Sequence, residues 1–252
     1  MAEQRVRGRL SELRGQTVKS GSASMSGEDR QSVGFATLVD IIFVIDGTGS
    51  MQNLIDEVKN RALSMHEDIQ RALRAKRRKV TKLRVKALVF RDIFVDANPF
   101  EESEFFTLPE ESHEFRSFIE NIRAAGGGDE PESSLEALCR AMQARFQENQ
   151  QGRKARQIIV MLTDASAHRL DDPQRAMDKS YPKDIPNDLV GVESLWESLD
   201  FRAKRMVVFA PNVWPWNEVG MWGSVEYSPS QAGKGIDSET FKAVIEAIAG
   251  SV

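Results

Sequence analysis

A short stretch after the first long apolar run combines residue types that could do chemistry. Asp46, Thr48 and Ser50 stand at alternate positions of "VIDGTGSM", residues 44–51. Alternate positions of an extended loop point to the same side, so a carboxylate and two hydroxyls would converge. Three interpretations fit these oxygen atoms: ligands of a divalent cation, the nucleophile of a phosphatase, or a cap on the following helix.

Two further aspartates follow apolar runs in the same manner. Asp92 follows "LVFR" and Asp164 follows "IIVMLT", as Asp46 follows "IIFVI". Continuous apolar runs without alternation are typical of strands covered on both faces of a parallel sheet. Ligands of open α/β sheets bind beyond the carboxyl ends of such strands. We therefore expect all three aspartates at one edge of the sheet.

The pattern along the chain predicts an open, mostly parallel α/β sheet with helices on both faces. Met51 to Leu73 shows helical spacing and predicts one long amphipathic helix, and "SEFFTL" predicts a short edge strand. Residues 1–35 are rich in Ser, Gly and charge, which predicts a disordered segment. The folded domain is expected to occupy residues 36–252.

Composition excludes several classes of function. The chain has 34 Lys and Arg against 38 Asp and Glu, so its net charge of −4 attracts neither nucleic acid nor an anionic membrane as a whole. The single cysteine, Cys139, excludes an internal disulfide and a Cys-rich zinc site, and we expect it to be buried. The run "IIFVI" is too short to cross a bilayer. These features predict a cytoplasmic protein that contacts no membrane.

Three motifs in this order resemble a von Willebrand factor A (vWA) domain with a metal-ion-dependent adhesion site. They are "DGTGSM" from Asp46, "GGGDEPE" from Gly126, and "LTDA" around Asp164. The resemblance covers Leu38 to the C-terminus. It implies a doubly wound, Rossmann-like sheet of about six strands, one of them short and antiparallel at an edge. It also implies that Mg²⁺ or Mn²⁺ is bound, directly or through water, by Asp46, Thr48, Ser50 and Asp164.

The chain departs from the family pattern at two positions. Thr48 replaces the usual first serine but keeps the hydroxyl, and Asp129 stands nearest to the usual threonine of the second loop. The "GGGDEPE" loop is found in one branch of the family. Asp129 would supply negative charge from within the chain, so the metal could be held without a partner's carboxylate. The metal would then serve mainly to organise this edge.

Other residues near the expected edge carry two interpretations each. Arg91 and Asp92 would either form an ion pair at a strand end or support metal-bound water from outside the ligand shell. Three tryptophans lie within nine residues of a segment rich in Pro, Asn and Gly, namely Trp214, Trp216 and Trp222. They would either contact a partner protein or pack as the loop's own core. We expect His168 on a surface loop.

The run Arg71 to Lys82, "RALRAKRRKVTK", contains seven basic residues and no acid. Cations suit the end of a helix, where the dipole is negative. Because the run has no interleaved aromatic residues, it does not predict a nucleic-acid site.

A phosphatase of the haloacid dehalogenase type fits the first motif poorly. That chemistry requires two aspartates two residues apart, and the positions flanking Asp46 are Val44 and Thr48. A phosphate-binding P-loop and a nucleophile elbow are both missing from the sequence.

We therefore expect a non-enzymatic, metal-dependent interaction module, an adaptor or regulatory subunit that binds another protein through its metal site or its Trp-rich loop. The resemblance also implies a possible setting, since some bacterial family members of this kind belong to stress-response or antiviral operons. The alternative is a vWA-like scaffold with a structural metal or none.

Overall fold

The computed structural model describes residues 36–62, 64–127, 130–178, 181–230 and 238–252. The segment 1–35, for which we predict disorder, and Asp129 lie outside the described residues. Within the described part of the chain, the strands form one seven-stranded sheet. Its strands are β1 (Ala36–Asp46), β2 (Lys82–Phe90), β3 (Phe100–Glu102), β4 (Phe106–Leu108), β5 (Arg153–Leu162), β6 (Lys204–Pro211) and β7 (Val225–Ser230).

The sheet confirms the predicted mixed α/β architecture. Its strand order is β3-β2-β1-β5-β6-β7, and β4 also pairs with β2. Strands β2, β1, β5, β6 and β7 are parallel, whereas β3 and β4 are antiparallel to β2. The carboxyl ends of β1, β2, β5 and β6 therefore meet at one edge. We call this the carboxyl edge, and the opposite one the amino edge.

The predicted edge strand "SEFFTL" is only partly correct. Two three-residue strands, β3 and β4, pair in turn with the two ends of β2, and Ser103 lies between them. The Ser103 hydroxyl accepts a hydrogen bond from Ala87 N at 3.0 Å, where a strand would offer a backbone carbonyl. Ser103 N still donates to Ala87 O at 2.9 Å, so one of the two backbone hydrogen bonds is kept and the other is made by the side chain, and the strand is interrupted here.

The helices run over both faces of the sheet. They are α1 (Gln52–Arg61), α2 (Met65–Ala75), α3 (Ser112–Asn121), α4 (Ser134–Met142), α5 (Pro173–Met177), α6 (Leu189–Ser198), α7 (Trp216–Val219) and α8 (Ser238–Ser251). The predicted single helix from Met51 to Leu73 is wrong, because α1 and α2 are separate. Ser64 Oγ donates to Arg61 O at 3.3 Å, a local bond that competes with helical continuation.

Two apolar cores explain why β1 has no alternation in its sequence. Ile41 and Ile45 face the core formed with α1, α2, α3 and α8. Ile42 and Val44 face the second core, formed with α4, α6 and α7. A strand buried on both faces needs apolar residues at every position. Cys139 is buried in the second core, as expected.

The sequence does not predict strand β7, because its short alternation of Val225 and Tyr227 with polar residues lies within a segment rich in Pro and Gly. It pairs in parallel with β6 and is the outermost strand on that side of the sheet. Pro229 lies within β7, and proline is tolerated in outermost strands. No helix of the described residues is both long and apolar enough to cross a membrane.

Candidate metal centre

Asp46 is the last residue of β1 and is fully buried at the carboxyl edge. The next residue, Gly47, donates to Phe90 O at 2.7 Å and accepts from Ala125 N at 3.0 Å. A Cβ at Gly47 would lie 2.6 Å from Val89 Cγ1, so only glycine allows this close approach. Gly47 therefore ties the end of β1 to β2 and to the Gly-rich loop.

Hydrogen bonds fix the orientation of the Asp46 carboxylate. Its Oδ1 accepts from Thr48 N at 2.9 Å and from Thr48 Oγ1 at 2.6 Å. Its Oδ2 accepts from Thr163 Oγ1 at 2.7 Å. Because both oxygens are engaged, the carboxylate cannot rotate freely. Thr163 is a site residue that sequence reasoning missed, although it belongs to the "LTDA" motif.

The two remaining predicted ligands are joined to this group. Ser50 Oγ donates to Asp164 Oδ1 at 2.9 Å and lies 3.4 Å from Thr48 Oγ1. No side-chain hydrogen bond caps the 3₁₀ turn Gly49–Met51 or α1, so the helix-cap interpretation of Ser50 is wrong. The structure thus brings Asp46, Thr48, Ser50 and Asp164 together, as the sequence predicts.

The Gly-rich loop places a further carboxylate against this group. Gly126 and Gly127 have φ values of +77° and +67°, which favour glycine. A Cβ at Gly127 would lie 2.6 Å from both Glu132 Oε1 and Thr48 Cγ2. The Glu132 carboxylate and the Thr48 methyl group therefore both pack closely on Gly127. Glu132 was not among the predicted ligands, because its position after Pro131 gave no sign that the chain turns back.

Glu132 is buried, and its Oε2 has no hydrogen-bond partner in the part of the chain that the structure describes. Burial raises its pKa to about 8, with further contributions from the negative charges of Asp46, Asp92, Asp96 and Asp164. Burial also raises the pKa of Asp46 to about 6, against the opposing hydrogen bonds from Thr48 and Thr163. The site thus concentrates negative charge that a cation would neutralise.

The residues present fit a hard divalent cation. The donors are carboxylate and hydroxyl oxygens, which Mg²⁺ and Mn²⁺ prefer, and the Glu132 carboxyl group interacts electrostatically with Asp46 and Asp164. Among the described residues, no three carboxylate, imidazole or thiol groups form a metal cluster by themselves. The hydroxyls of Thr48 and Ser50 are therefore essential to the donor set. The contribution predicted for Asp129 lies outside the described residues.

Arg91 and Asp92 are both buried but do not pair with each other. Arg91 donates to Glu101 Oε1 at 2.7 Å and to the carbonyls of Arg123 and Ala125 at 2.7 and 2.8 Å. It therefore holds the chain that leads into Gly126. Asp92 Oδ1 accepts from Phe94 N at 2.8 Å. Their role as support for metal-bound water stays a prediction.

His168 lies on a loop, as expected, but it is not fully solvated. Its side chain is 14% exposed, and its Nε2 lies 3.0 Å from Asp92 Oδ1. The His168 N–H donates to Glu132 O at 2.9 Å, and Glu132 N donates to Ser166 O at 3.1 Å. These bonds join the loop of Asp164 to the loop of Glu132, so the two loops form one unit.

Two of the three tryptophans, Trp216 and Trp222, pack in the interior of the protein. Trp216 is fully buried, and its Nε1 donates to Ala165 O at 2.9 Å, directly beside Asp164. Trp222 is 8% exposed. Neither side chain is available to a partner in this structure, so the alternative interpretation, a local core, holds for both. Trp214 is half-buried. The Arg169 guanidinium lies over the Trp214 indole, 4.9 Å from the centre of that ring.

Comparison with known proteins agrees with this geometry. The family profile described as von Willebrand factor A domain matches residues 40–180. The chain is 26% identical over 151 residues to the alpha-protein kinase vwkA of Dictyostelium discoideum, which is 60% of this chain and 22% of that protein. The chain thus spans about a fifth of that relative.

Solved structures share the fold at low identity. The pilus adhesin SpaC of Lactobacillus rhamnosus GG superposes with a TM-score of 0.54 at 12% identity, covering 85% of this chain and 30% of the adhesin. Proximal thread matrix protein 1 of the mussel byssus, with a zinc-occupied MIDAS motif, gives 0.51 at 13% identity, covering 86% of this chain and 47% of that one. With the profile match over more than half of its length, the chain belongs to the von Willebrand factor A domain family.

Proposed function

We propose that the chain is a non-enzymatic module that binds Mg²⁺ or Mn²⁺ at the carboxyl edge and, through the metal, another protein. One observation carries this proposal: the site is buried on the side of the sheet and exposed on the side of the loop. Asp46 and Asp164 are buried, whereas Gly49 and Ser50 are exposed, and no atom of the described residues lies within 4 Å of a Cβ at Gly49. A carboxylate from a partner could therefore reach a cation held here.

The cation would be held by Asp46, Thr48, Ser50 and Asp164, directly or through water, with Asp129 as a further contributor. It would supply the positive charge that balances the buried carboxylates. The chain's own residues orient these oxygens and exclude water from beneath them. The hydrogen bonds of Asp46 to Thr48 and Thr163 hold that carboxylate in place before metal arrives.

The alternative of a mainly structural metal is favoured by Glu132. This carboxylate is buried against Gly127, and its Oε2 has no hydrogen-bond partner among the described residues. If Glu132 balances the cation, the metal needs no external carboxylate. The two alternatives differ in one measurable respect, since a structural metal binds tightly without a partner.

The absence of catalysis is supported by the surroundings of Asp46. A phosphatase of the haloacid dehalogenase type would need an aspartate at position 44 or 48, and Val44 is buried in the second core. The relative named as a kinase matches this chain over only 22% of its own length, so its activity does not carry over.

The proposal also includes a location and a role. The chain would act in the cytoplasm as an adaptor or regulatory subunit, for instance in a bacterial stress or antiviral system. The support for this location is the single cysteine, which allows no internal disulfide. Burial raises the pKa of the Cys139 thiol to about 12, so the thiol is inert.

Thermal unfolding in EDTA, Mg²⁺ and Mn²⁺ tests the metal site. A ligand at about 100 times its dissociation constant stabilises the native state by about 2.7 kcal/mol. For a chain of this size, that raises the midpoint by about 5–10 °C. We expect the rise in the wild type and in the control Asp56→Ala, an exposed aspartate on α1, but not in Asp46→Ala.

Co-purification then separates the two alternatives. A partner that EDTA releases from the wild type, and that Asp46→Ala fails to retain, supports metal-dependent interaction. A metal-dependent midpoint with no EDTA-sensitive partner supports the structural metal. Divalent-dependent hydrolysis of a phosphoester that Asp46→Ala abolishes would contradict the non-enzymatic proposal.

A further inference from the structure

The amino edge of the sheet concentrates positive charge in a chain that is acidic overall. Three segments lead into β2, β5 and β6 at this edge, namely residues 76–82, 143–156 and 199–205. They contain twelve Lys and Arg against two acids, Glu148 and Asp200. Since the whole chain has more acids than bases, this edge differs from the rest of the chain in the sign of its charge.

Helix dipoles do not explain this amount of charge. The helices α2, α4 and α6 end at the amino edge, and each carboxyl end carries about half a negative charge. Together with the two acids, these ends balance only a minority of the cations. Most of the cations also have no ion pair with any described acid, namely Arg77, Arg78, Lys79, Lys82, Arg153, Arg156, Arg202 and Arg205.

Some of these cations are close enough to repel one another. Burial lowers the pKa of Arg156, and the neighbouring charges of Arg205 and Arg78 lower it further. Arg156 donates to Arg202 O at 2.9 Å, but its Nε is buried without a partner. A bound anion would relieve this repulsion and would be attracted to the edge.

A cavity of about 500 Å³ opens among these cations. Its wall combines four cations with an aromatic ring and includes Asn149, Arg153, Lys154, Arg156, Phe201 and Arg202. The single acid in the wall, Asp200, accepts hydrogen bonds from Asn149 Nδ2 at 2.6 Å and from Arg202 N at 2.9 Å.

Phe201 is 68% exposed, and the Arg202 guanidinium lies 5.3 Å from its ring centre. The basic run of α2 has no aromatic residue of its own, but the fold brings Phe201 to the same edge from another connection. Carboxylates of a peptide would use the cations and leave the ring unused. A nucleotide would use both, because its phosphate meets the arginines and its base can stack on the ring.

We propose that the amino edge binds single-stranded nucleic acid, with Arg77, Arg153 and Arg202 contacting phosphates and Phe201 stacking on a base. This surface lies at the opposite edge from the metal centre and does not depend on it. The chain would therefore engage two partners at once, one at each edge of the sheet.

Arg77 makes a sharp test possible. Its φ of +56° lies in the left-handed region at the end of α2, where glycine is favoured. Arg77→Gly therefore removes a charge without loss of stability. The edge variant combines Arg77→Gly, Arg153→Gln and Arg202→Gln, all exposed positions. The control variant removes three cations elsewhere, with Lys59→Gln, Arg116→Gln and Lys183→Gln.

The experiment measures fluorescence anisotropy of a labelled oligomer of about 16 thymidines, the upper range for one single-strand-binding fold. It uses the full chain in EDTA, at about 50–200 mM salt. We expect the edge variant to raise Kd at least about tenfold and to reduce the salt slope by about 2, since each phosphate contact contributes about 0.7. The control variant should match the wild type.

Phe201→Ala gives an independent readout. Loss of stacking should raise Kd at least about fivefold and leave the salt slope unchanged, because stacking releases no counterions. Equal losses in the edge and control variants would overturn the proposal. So would equal affinity for polyglutamate with no effect of Phe201→Ala, which would indicate an acidic peptide. EDTA abolishes the proposed metal-dependent function, whereas the nucleic-acid surface does not depend on the metal. The proposal for the metal centre and the proposal for the amino edge can therefore fail separately.

Discussion

Thr163 Oγ1 donates a hydrogen bond of 2.7 Å to Asp46 Oδ2 and thereby joins the ends of two neighbouring parallel strands. Thr163 is fully buried, and its Oγ1 also accepts from Ala165 N at 3.1 Å. One hydroxyl thus orients the carboxylate of β1 and the loop that carries Asp164. The geometry of both aspartates depends on this contact.

Thr163→Val should therefore weaken metal binding while the fold is retained. Loss of a hydrogen bond that orients a metal ligand typically lowers metal affinity about 10- to 100-fold. Titration with Mn²⁺, followed by calorimetry, measures the change. Thr107→Val, on the edge strand β4, is the control and should bind as the wild type does. Unchanged affinity in Thr163→Val would show that Asp46 is not a ligand.

The stability of the metal-free chain should fall as pH rises from about 4.5 to about 8. Glu132 has an ordinary pKa of 4.5, which burial and its acidic neighbours raise to about 8 in the folded chain. The folded state therefore binds this proton more tightly than the unfolded state in that window, and its advantage is lost as pH rises. A bound cation favours the ionised form and should flatten the dependence.

Unfolding midpoints across this pH range, in EDTA and in millimolar Mg²⁺, measure the effect. Glu132→Gln should remove most of the fall in EDTA, whereas Glu130→Gln, an exposed neighbour, should not. A fall of equal size in Glu132→Gln would mean that another group is responsible.

Gly127→Ala should disturb the metal centre through a steric clash. Its Cβ would lie 2.6 Å from Glu132 Oε1 and Thr48 Cγ2, at a φ of +67°. Gly152→Ala is a matched control, because its φ is +76° and no described residue lies within 4 Å of the added Cβ. Both variants should lose about 1–2 kcal/mol from backbone strain, and only Gly127→Ala should also lose metal affinity. Equal behaviour of the pair would argue against contact with the centre.

Trp216→Phe should separate support of the centre from general packing. Trp216 and Trp196 are both fully buried, and each indole donates to a backbone carbonyl at 2.9 Å, of Ala165 and Gly223 respectively. Both Trp→Phe variants should lose about 1–3 kcal/mol of stability. Only Trp216→Phe should weaken Mn²⁺ binding, since Ala165 follows Asp164. Chemical denaturation and calorimetry give the two numbers for each variant.

The sequence was sufficient for those parts of the centre that follow from strand ends. Asp46 and Asp164 terminate long apolar runs, and parallel pairing brings such ends together regardless of the loops. Thr48 and Ser50 lie within four residues of Asp46, so local spacing places them. The order of motifs then indicated the family, and its profile matches residues 40–180.

Contacts that depend on loop paths were not predictable in the same way. Glu132 packs on Gly127, whose positive φ is not evident from local spacing, and Thr163 was overlooked beside the more obvious ligand Asp164. Strand β7 forms because β6 offers it a free edge, which no local pattern records. The break between α1 and α2 falls within otherwise helical spacing, where the Ser64 hydroxyl donates to Arg61 O.

The two outer strands of the sheet limit how a partner can bind. Addition of a strand from another chain requires a row of free backbone groups along a straight edge. Pro229 removes a donor and fixes the backbone in β7, and on the other side Ser103 divides the edge into two pieces of three residues each. Neither side offers a continuous template, which protects the chain against edge-to-edge aggregation. Recognition by β-augmentation is thereby disfavoured, and partners must dock on loops and side chains.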